Sequence, residues 1–454
     1  MPQMTIQQAL ELAEDHQLAG RLAQAEAICR QILAADASNP IAMHLMGIIA
    51  LSGGRPDEAL RWMQQSLAIL PTAELYCSLG QVYASLLRIE EGIQSLRTSI
   101  AMRPDYPEAL HDLAVALLHA GNLDEAIAAH RKAISLRPDW ALGHHDLALA
   151  LLMKGEYREG FSEYEWRFRA PELGTLVQPF SQPRWDGSDL NGKTILLHAE
   201  QGFGDTLQFV RYVPIVQQRG GKIILQCQPE LMTLLAEMNA SWTVLPRGAA
   251  LPAFDVRCSL VSLPHVFGTT LETVPASVPY LHADPARVRR FRERFASVGN
   301  FEIGLAWSTG KLLQDDPYRS RAVPLFSLLP LLQMEEVTCI SLQKGDATKQ
   351  MWDLPAQTNL IRAADEPVDF ADTAARIRDL DLVIAVDTAV AHLAGAMGKP
   401  TWVMLPFASE WRWMRDREDS PWYPTVRIFR QTTPGDWGSV VERMMRELSA
   451  MISA

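Results

Sequence analysis

Two hydrophobic rhythms divide this chain. Through the first 170 residues apolar positions recur at helical spacing, and the whole pattern then repeats. The segments GRLAQAEA, GRPDEALR, LRIEEGIQ, GNLDEAIA and GEYREGFS begin at Gly20, Gly54, Leu87, Gly121 and Gly155, so successive starts lie 34, 33, 34 and 34 residues apart. Each carries a small residue five places on: Ala25, Ala59, Gly92, Ala126 and Gly160. Prolines 40, 71, 104 and 138 are read as following the second helix of a unit. Two antiparallel helices cannot bury their apolar faces alone, so neighbouring pairs must stack, and small residues let them approach closely. The expectation is an all-helical repeat solenoid over residues 1–170.

A Pro- and Gly-rich stretch, 171–193, reads as a linker. Beyond it the rhythm changes to short apolar runs without polar alternation, separated by helical stretches. TILLHA, KIILQC, WTVLP and DVRCSLVSL form one group; EIGLAWS, VTCISLQ, LVIAVDT, TWVMLP and VRIFRQ form another. Such runs predict parallel strands covered on both faces. The fold expected after the solenoid is therefore α/β: two doubly wound domains, 194–298 and 299–454, facing a cleft. The basic helix joining them (Arg287, Arg289, Arg290, Arg292, Arg294) reads as a solvated face, and the last stretch, DWGSVVERMMRELSAMISA, as an amphipathic helix.

Totals narrow the function. A formal charge of −11 argues against a nucleic-acid surface. The N-terminus lacks the apolar centre of a signal peptide, and no apolar run suggests stable membrane insertion. Five dispersed cysteines without a C-x-x-C pair read as reduced, buried thiols of a cytoplasmic protein. A solenoid's concave face suits a protein partner, and solenoids also support homo-oligomers.

In doubly wound folds ligands bind where strands give way to helices. Three such junctions carry unusual residues. In HAEQGFGDT, Gly202 and Gly204 permit close backbone approach and Asp205 opens a helix. Asp205 and Gln208 fit a D-x-x-Q capping pattern, and Asp205 also has an open approach; Leu207 stands where a dinucleotide fingerprint needs its third glycine. In VDTAVAHLAGAMGKP, Asp387 and Thr388 begin a helix bearing His392, and its N-terminus offers N–H groups to a phosphate. Asp387 also reads as a helix cap, and His392 as a half-buried core residue. The junctions AWSTGKLLQDDPYRSRAVPL and ISLQKGD supply Arg319, Arg321 and Lys344, cations able to neutralise a diphosphate or simply to be solvated. Asp379 and Asp381 match a bare D-x-D at the wrong end of a strand for a metal. The segment LPFASEWRWMRDREDSPWYPTVRIF reads as packing, or as a cleft wall through Trp411, Trp413, Trp422 and Tyr423.

The repeat pattern resembles the tetratricopeptide repeat. GFGDT followed by VDTAVAHLAGAMGKP resembles the GT-B glycosyltransferases, above all the heptosyltransferase family with its V-D-T-G-x-x-H-L-A element; Ala389 stands at that element's glycine. Repeats joined to a GT-B module also resemble O-GlcNAc transferase and bacterial flagellin glycosyltransferases, although the asparagine series of the former is missing, with only Asn39 and Asn122 among the repeats. The resemblance implies inverting, metal-independent transfer from a nucleotide-sugar co-substrate, with no other cofactor. It makes Asp205 the general base that deprotonates an acceptor hydroxyl. It assigns Asp387, Thr388, Ala389 and His392 to the donor, and Arg321 and Lys344 to the leaving diphosphate. The acceptor implied is a protein recruited by the repeats; alternatives are a lipid-linked or polysaccharide acceptor, or an inactive module on a repeat scaffold.

Overall fold

The computed structural model describes residues 4–170, 173, 180–294, 300–309, 320–362 and 369–453. Their contacts divide the chain into two compact units, 1–150 and 151–454.

The first unit is a run of helical pairs: α1 (Ile6–Leu18) and α2 (Leu22–Ala35), α3 (Pro40–Ser52) and α4 (Pro56–Ile69), α5 (Ala73–Ser85) and α6 (Ile89–Met102), α7 (Pro107–Ala120) and α8 (Leu123–Leu136), then α9 (Ala141–Lys154). The recurring glycine turns the chain between the helices of a pair in the left-handed region, with φ of 73° at Gly20, 72° at Gly54 and 88° at Gly121. Leu87 holds the same turn at φ 59° without glycine's freedom. The small residues sit where helices touch: Ala25, Ala59 and Ala126 are wholly buried, and a Cβ on Gly92 would come 3.3 Å from the Gly80 carbonyl. Pro40 follows α2 and opens α3 at its first position, a place where the missing N–H costs nothing.

The second unit begins with the end of α9 and α10 (Tyr157–Tyr164) and holds two all-parallel sheets. One comprises β1 (Thr194–His198), β2 (Lys222–Cys227), β3 (Thr243–Pro246) and β4 (Val256–Ser259), ordered β3-β2-β1-β4. The other comprises β5 (Phe301–Ala306), β6 (Val337–Ser341), β7 (Leu360–Ile361), β8 (Leu382–Val386), β9 (Thr401–Leu405) and β10 (Val426–Arg430), ordered β10-β9-β8-β5-β6-β7. β8 and β9 are buried at every position, as unalternating runs require. The helix Trp437–Ser453 seals the second sheet with Val440, Val441, Met444 and Leu448.

The DVRCSLVSL run does not stay extended: β4 stops at Ser259 and a 3₁₀ turn follows at Leu260–Ser262. The two-residue β7 has too short an apolar signal to be foreseen. The basic helix, Pro285–Arg294, leaves Arg289, Arg290 and Arg292 exposed as a solvated face would, and it also makes contacts of its own. Arg287 and Arg290 bond Asp372 at 2.5 and 2.8 Å, Arg292 bonds Asp379, and Val288 and Phe291 pack against Ala375. Trp411, Trp413, Trp422 and Tyr423 are packing residues, all nearly inaccessible. Trp422 donates to the Tyr157 hydroxyl at 3.0 Å, and Trp411 meets Phe161 edge-on.

Candidate functional site

Strand order reverses between β1 and β4 and again between β5 and β8, the points where neighbouring loops part and leave a crevice. A cavity of about 550 Å³ opens there, lined by the loops after β5, β6 and β8 together with Phe203, Gly204 and Glu230 from the first sheet's loops. Its size is that of a small-molecule site.

The glycine loop leads from β1 into the helix Phe203–Phe209, with Gly202 as its N-cap in extended backbone. Asp205 is therefore the third residue of the helix, not its cap. Its Oδ2 reaches back to accept the Gly202 N–H at 3.0 Å, half of a capping box. The Gln208 amide oxygen is not a capping group, since it accepts from Arg412 Nε at 2.9 Å. Asp205 Oδ1 accepts from Arg412 Nη2, so each carboxylate oxygen holds one donor and keeps a lone pair. Burial would lower Arg412, but the Asp205 and Glu410 carboxylates outweigh it and hold the guanidinium charged. Gly204 owes its identity to packing. A Cβ there would lie 2.7 Å from His392 Cδ2, so glycine lets this helix press onto the helix Ala389–Ala396.

At the end of β8, Asp387 Oδ2 accepts from Arg321 Nη1 at 3.1 Å, and Oδ1 lies 3.8 Å from His392 Nε2. Thr388, not Asp387, is the N-cap of the helix that follows, with Ala389 its first residue. The Thr388 hydroxyl is buried without a hydrogen-bond partner among the described residues, an orphan group beside a helix N-terminus whose N–H groups need acceptors. Thr388 and Ala389 both line the cavity. His392 does not. It lies beneath the wall, stacked on Trp413 at 5.4 Å, with Nδ1 2.9 Å from the Tyr423 hydroxyl. Burial pulls its pKa to about 4 against the opposing pull of Asp387, so the ring is neutral at pH 7.

Lys344 lines the cavity just beyond β6, its pKa lowered by burial and then by Arg376. Arg319 lies outside the described residues. The cavity thus gathers Arg321, Lys344, Asp387, Thr388, Ala389 and Gly204; Asp205 and His392 stand behind them. Three contributors were not foreseen. Gln343 accepts the Trp307 and Ser308 N–H groups at 3.0 and 2.8 Å, tying the ends of β5 and β6 together. Glu230 adds a carboxylate to the wall. Arg412 binds a residue 207 positions away, a pairing only the fold can reveal. Asp379 and Asp381 serve separately, the first on Arg292 and the second accepting the Glu302 N–H at 2.8 Å. Among the described residues no three His, Cys, Asp or Glu side chains cluster as a metal site, and no helix is long and apolar enough to cross a membrane.

The fold and this crevice define a repeat protein with a parallel α/β unit. Two tetratricopeptide-repeat family models match residues 17–79 and 77–141. Protein FlbA of Caulobacter vibrioides is 30% identical over 424 residues, covering 87% of this chain and 70% of that protein. The chain belongs to the FlbA family. Solved structures similar to it include TTC0263, a tetratricopeptide protein of Thermus thermophilus, at 20% identity and TM-score 0.34, covering 37% of this chain and 98% of that one. MamA aligns at 23% identity and TM-score 0.32, covering 36% and 95%.

Proposed function

We propose that residues 194–454 form a GT-B glycosyltransferase module, and that the repeats recruit the protein whose hydroxyl is glycosylated. The observation that carries this reading is the convergence on one cavity of Lys344, Arg321, Thr388 and the first residues of the helix that Thr388 caps. That set suits a diphosphate: fixed cations and backbone donors meet charge where it develops. In the proposed reaction the acceptor oxygen bonds to the sugar's anomeric carbon as the bond to the diphosphate breaks. The electron pair leaves on the diphosphate, against Lys344 and Arg321, and the hydroxyl proton passes to Asp205. His392, neutral and buried, supports the wall by filling the space beneath Gly204.

One observation favours a second reading, a repeat scaffold whose α/β unit binds nucleotide without turnover: Asp205 and Arg321 each already hold an ion-pair partner. Turnover separates the two. With nucleotide-sugars supplied, the wild-type chain releases nucleoside diphosphate, and Asp205→Asn lowers the rate at least about 100-fold while nucleotide affinity is kept. Equal rates in the two proteins would remove Asp205 as the base; no release from the wild type with any donor would leave the scaffold.

A further inference from the structure

Arg412 sits in the 3₁₀ turn Trp411–Trp413 after β9, and its side chain is about 10% exposed. Its fork spans one turn of the helix Phe203–Phe209. Nη2 donates to Asp205 and Nε to Gln208, residues three apart on one helix face. Nη1 lies 3.4 Å from Glu410, and the guanidinium lies over the Trp411 ring at 4.5 Å. Every edge of this cation is therefore used, and its plane is set by an aromatic face. With the Gly202 N–H on the other oxygen, the Asp205 carboxylate is gripped from both sides and cannot rotate without breaking a bond. The contact also ties the first sheet's glycine loop to the loop after β9 of the second sheet.

We propose that Arg412 is the positioning residue for Asp205, holding its carboxylate in the one orientation from which it can accept a proton. The inference rests on the transfer reading above. Arg412 does not line the cavity, so its effect on the reaction runs through Asp205 and not through the donor. The other ionisable groups around the pair are Glu410 beside Arg412, Asp387 at the end of β8, His392 beneath Gly204, Tyr164 at the end of α10 and Arg211, just past the helix. Arg412 alone among them bonds Asp205 directly. Removing it leaves the Gly202 N–H as the one remaining hold on the carboxylate among the described residues.

The test uses the full chain in two arms. The first is a double-mutant cycle of unfolding with Asp205→Asn and Arg412→Gln. A coupling of about tenfold in the unfolding equilibrium is expected for groups in contact, and none would overturn the pairing. The second is steady-state donor turnover. Arg412→Gln is expected to lower kcat about 100-fold by misplacing the base, with the donor KM nearly unchanged. Arg412→Lys, which keeps the charge but not the fork, is expected to recover kcat in part, and it serves also if the glutamine variant fails to fold. Coupling present with kcat unchanged, or with kcat lost and donor KM raised alike, would make the contact purely structural and overturn the proposal. Coupling present in a wild type that turns over no donor would refute the transfer reading, and with it any catalytic purpose for the pair.

Discussion

Gly204→Ala puts the packing of the site to the test. A methyl added there would stand 2.7 Å from His392 Cδ2 and 3.2 Å from Nε2, where carbon atoms settle at ~3.5–4.0 Å. The imidazole has nowhere to go: Trp413 covers one face, the Tyr423 hydroxyl holds Nδ1 at 2.9 Å, and the residue is 4% exposed. Something must therefore move by about 0.8 Å, at the ~1–3 kcal/mol typical of overpacking. Alanine's better helix propensity returns up to ~1 kcal/mol, leaving a net loss of about 1–2 kcal/mol. The control is Gly202→Ala. Its Cβ would meet only Asp205 Oδ2 at 3.4 Å, an ordinary contact, and its φ of −71° suits any residue. Replacing the glycine cap by alanine costs a few tenths of a kcal/mol to ~1, so Gly204→Ala should be the more destabilising of the two in urea denaturation, by up to about 1.5 kcal/mol. Gly204→Ala should also weaken nucleotide binding, because the displaced helix carries Thr388 at its cap. Gly204→Ala as stable as wild type, or less harmful than Gly202→Ala, would refute the claim that the two helices meet at this glycine.

Three further outcomes are expected. Leu87→Gly should stabilise the repeat unit by ~1 kcal/mol, the relief of a left-handed leucine, read by thermal denaturation; a loss would mean that the leucine side chain outweighs its backbone strain. Below pH 6.5 the α/β unit should weaken, since burial lowers His198 to about 3 and His392 to about 4. The folded state then binds fewer protons than the unfolded, so stability is full above ~6.5 and lost as pH falls towards 4, by roughly 3 kcal/mol for each at most; His198→Leu, which removes two buried unpartnered nitrogens, should flatten that slope and gain ~1 kcal/mol at pH 7. Lys344→Met should weaken a nucleoside diphosphate about tenfold in calorimetric titration, the worth of a hydrogen bond to a charged group, and unchanged affinity would take Lys344 out of the site.

The solenoid was legible because its signals are local and repeated: a glycine at four of the five turns and a small residue at each contact need only the neighbouring 34 residues. The strands were legible for the same reason, except β7, whose two residues carry no pattern. Lys344, Asp387 and Thr388 could be found because each stands just past an apolar run, and Arg321 because it belongs to the long polar loop after β5. What they meet could not. Asp205 reads equally as a cap and as a base until Arg412 arrives from the loop after β9. His392 reads both as a half-buried core residue and as a donor ligand until Trp413 and Tyr423 bury it. The pairing of Arg287, Arg290 and Arg292 was hidden because their carboxylates, Asp372 and Asp379, belong to a distant segment.

The central claim is that the crevice holds a nucleoside diphosphate, and a thermal-shift panel tests it most directly: UDP, GDP, ADP and CMP at millimolar concentration against the full chain. A ligand that binds only the folded state raises the melting temperature according to its concentration over Kd. The account predicts a clear rise with one nucleoside diphosphate, much reduced in Lys344→Met. A folded protein whose melting is unmoved by every nucleotide would contradict it.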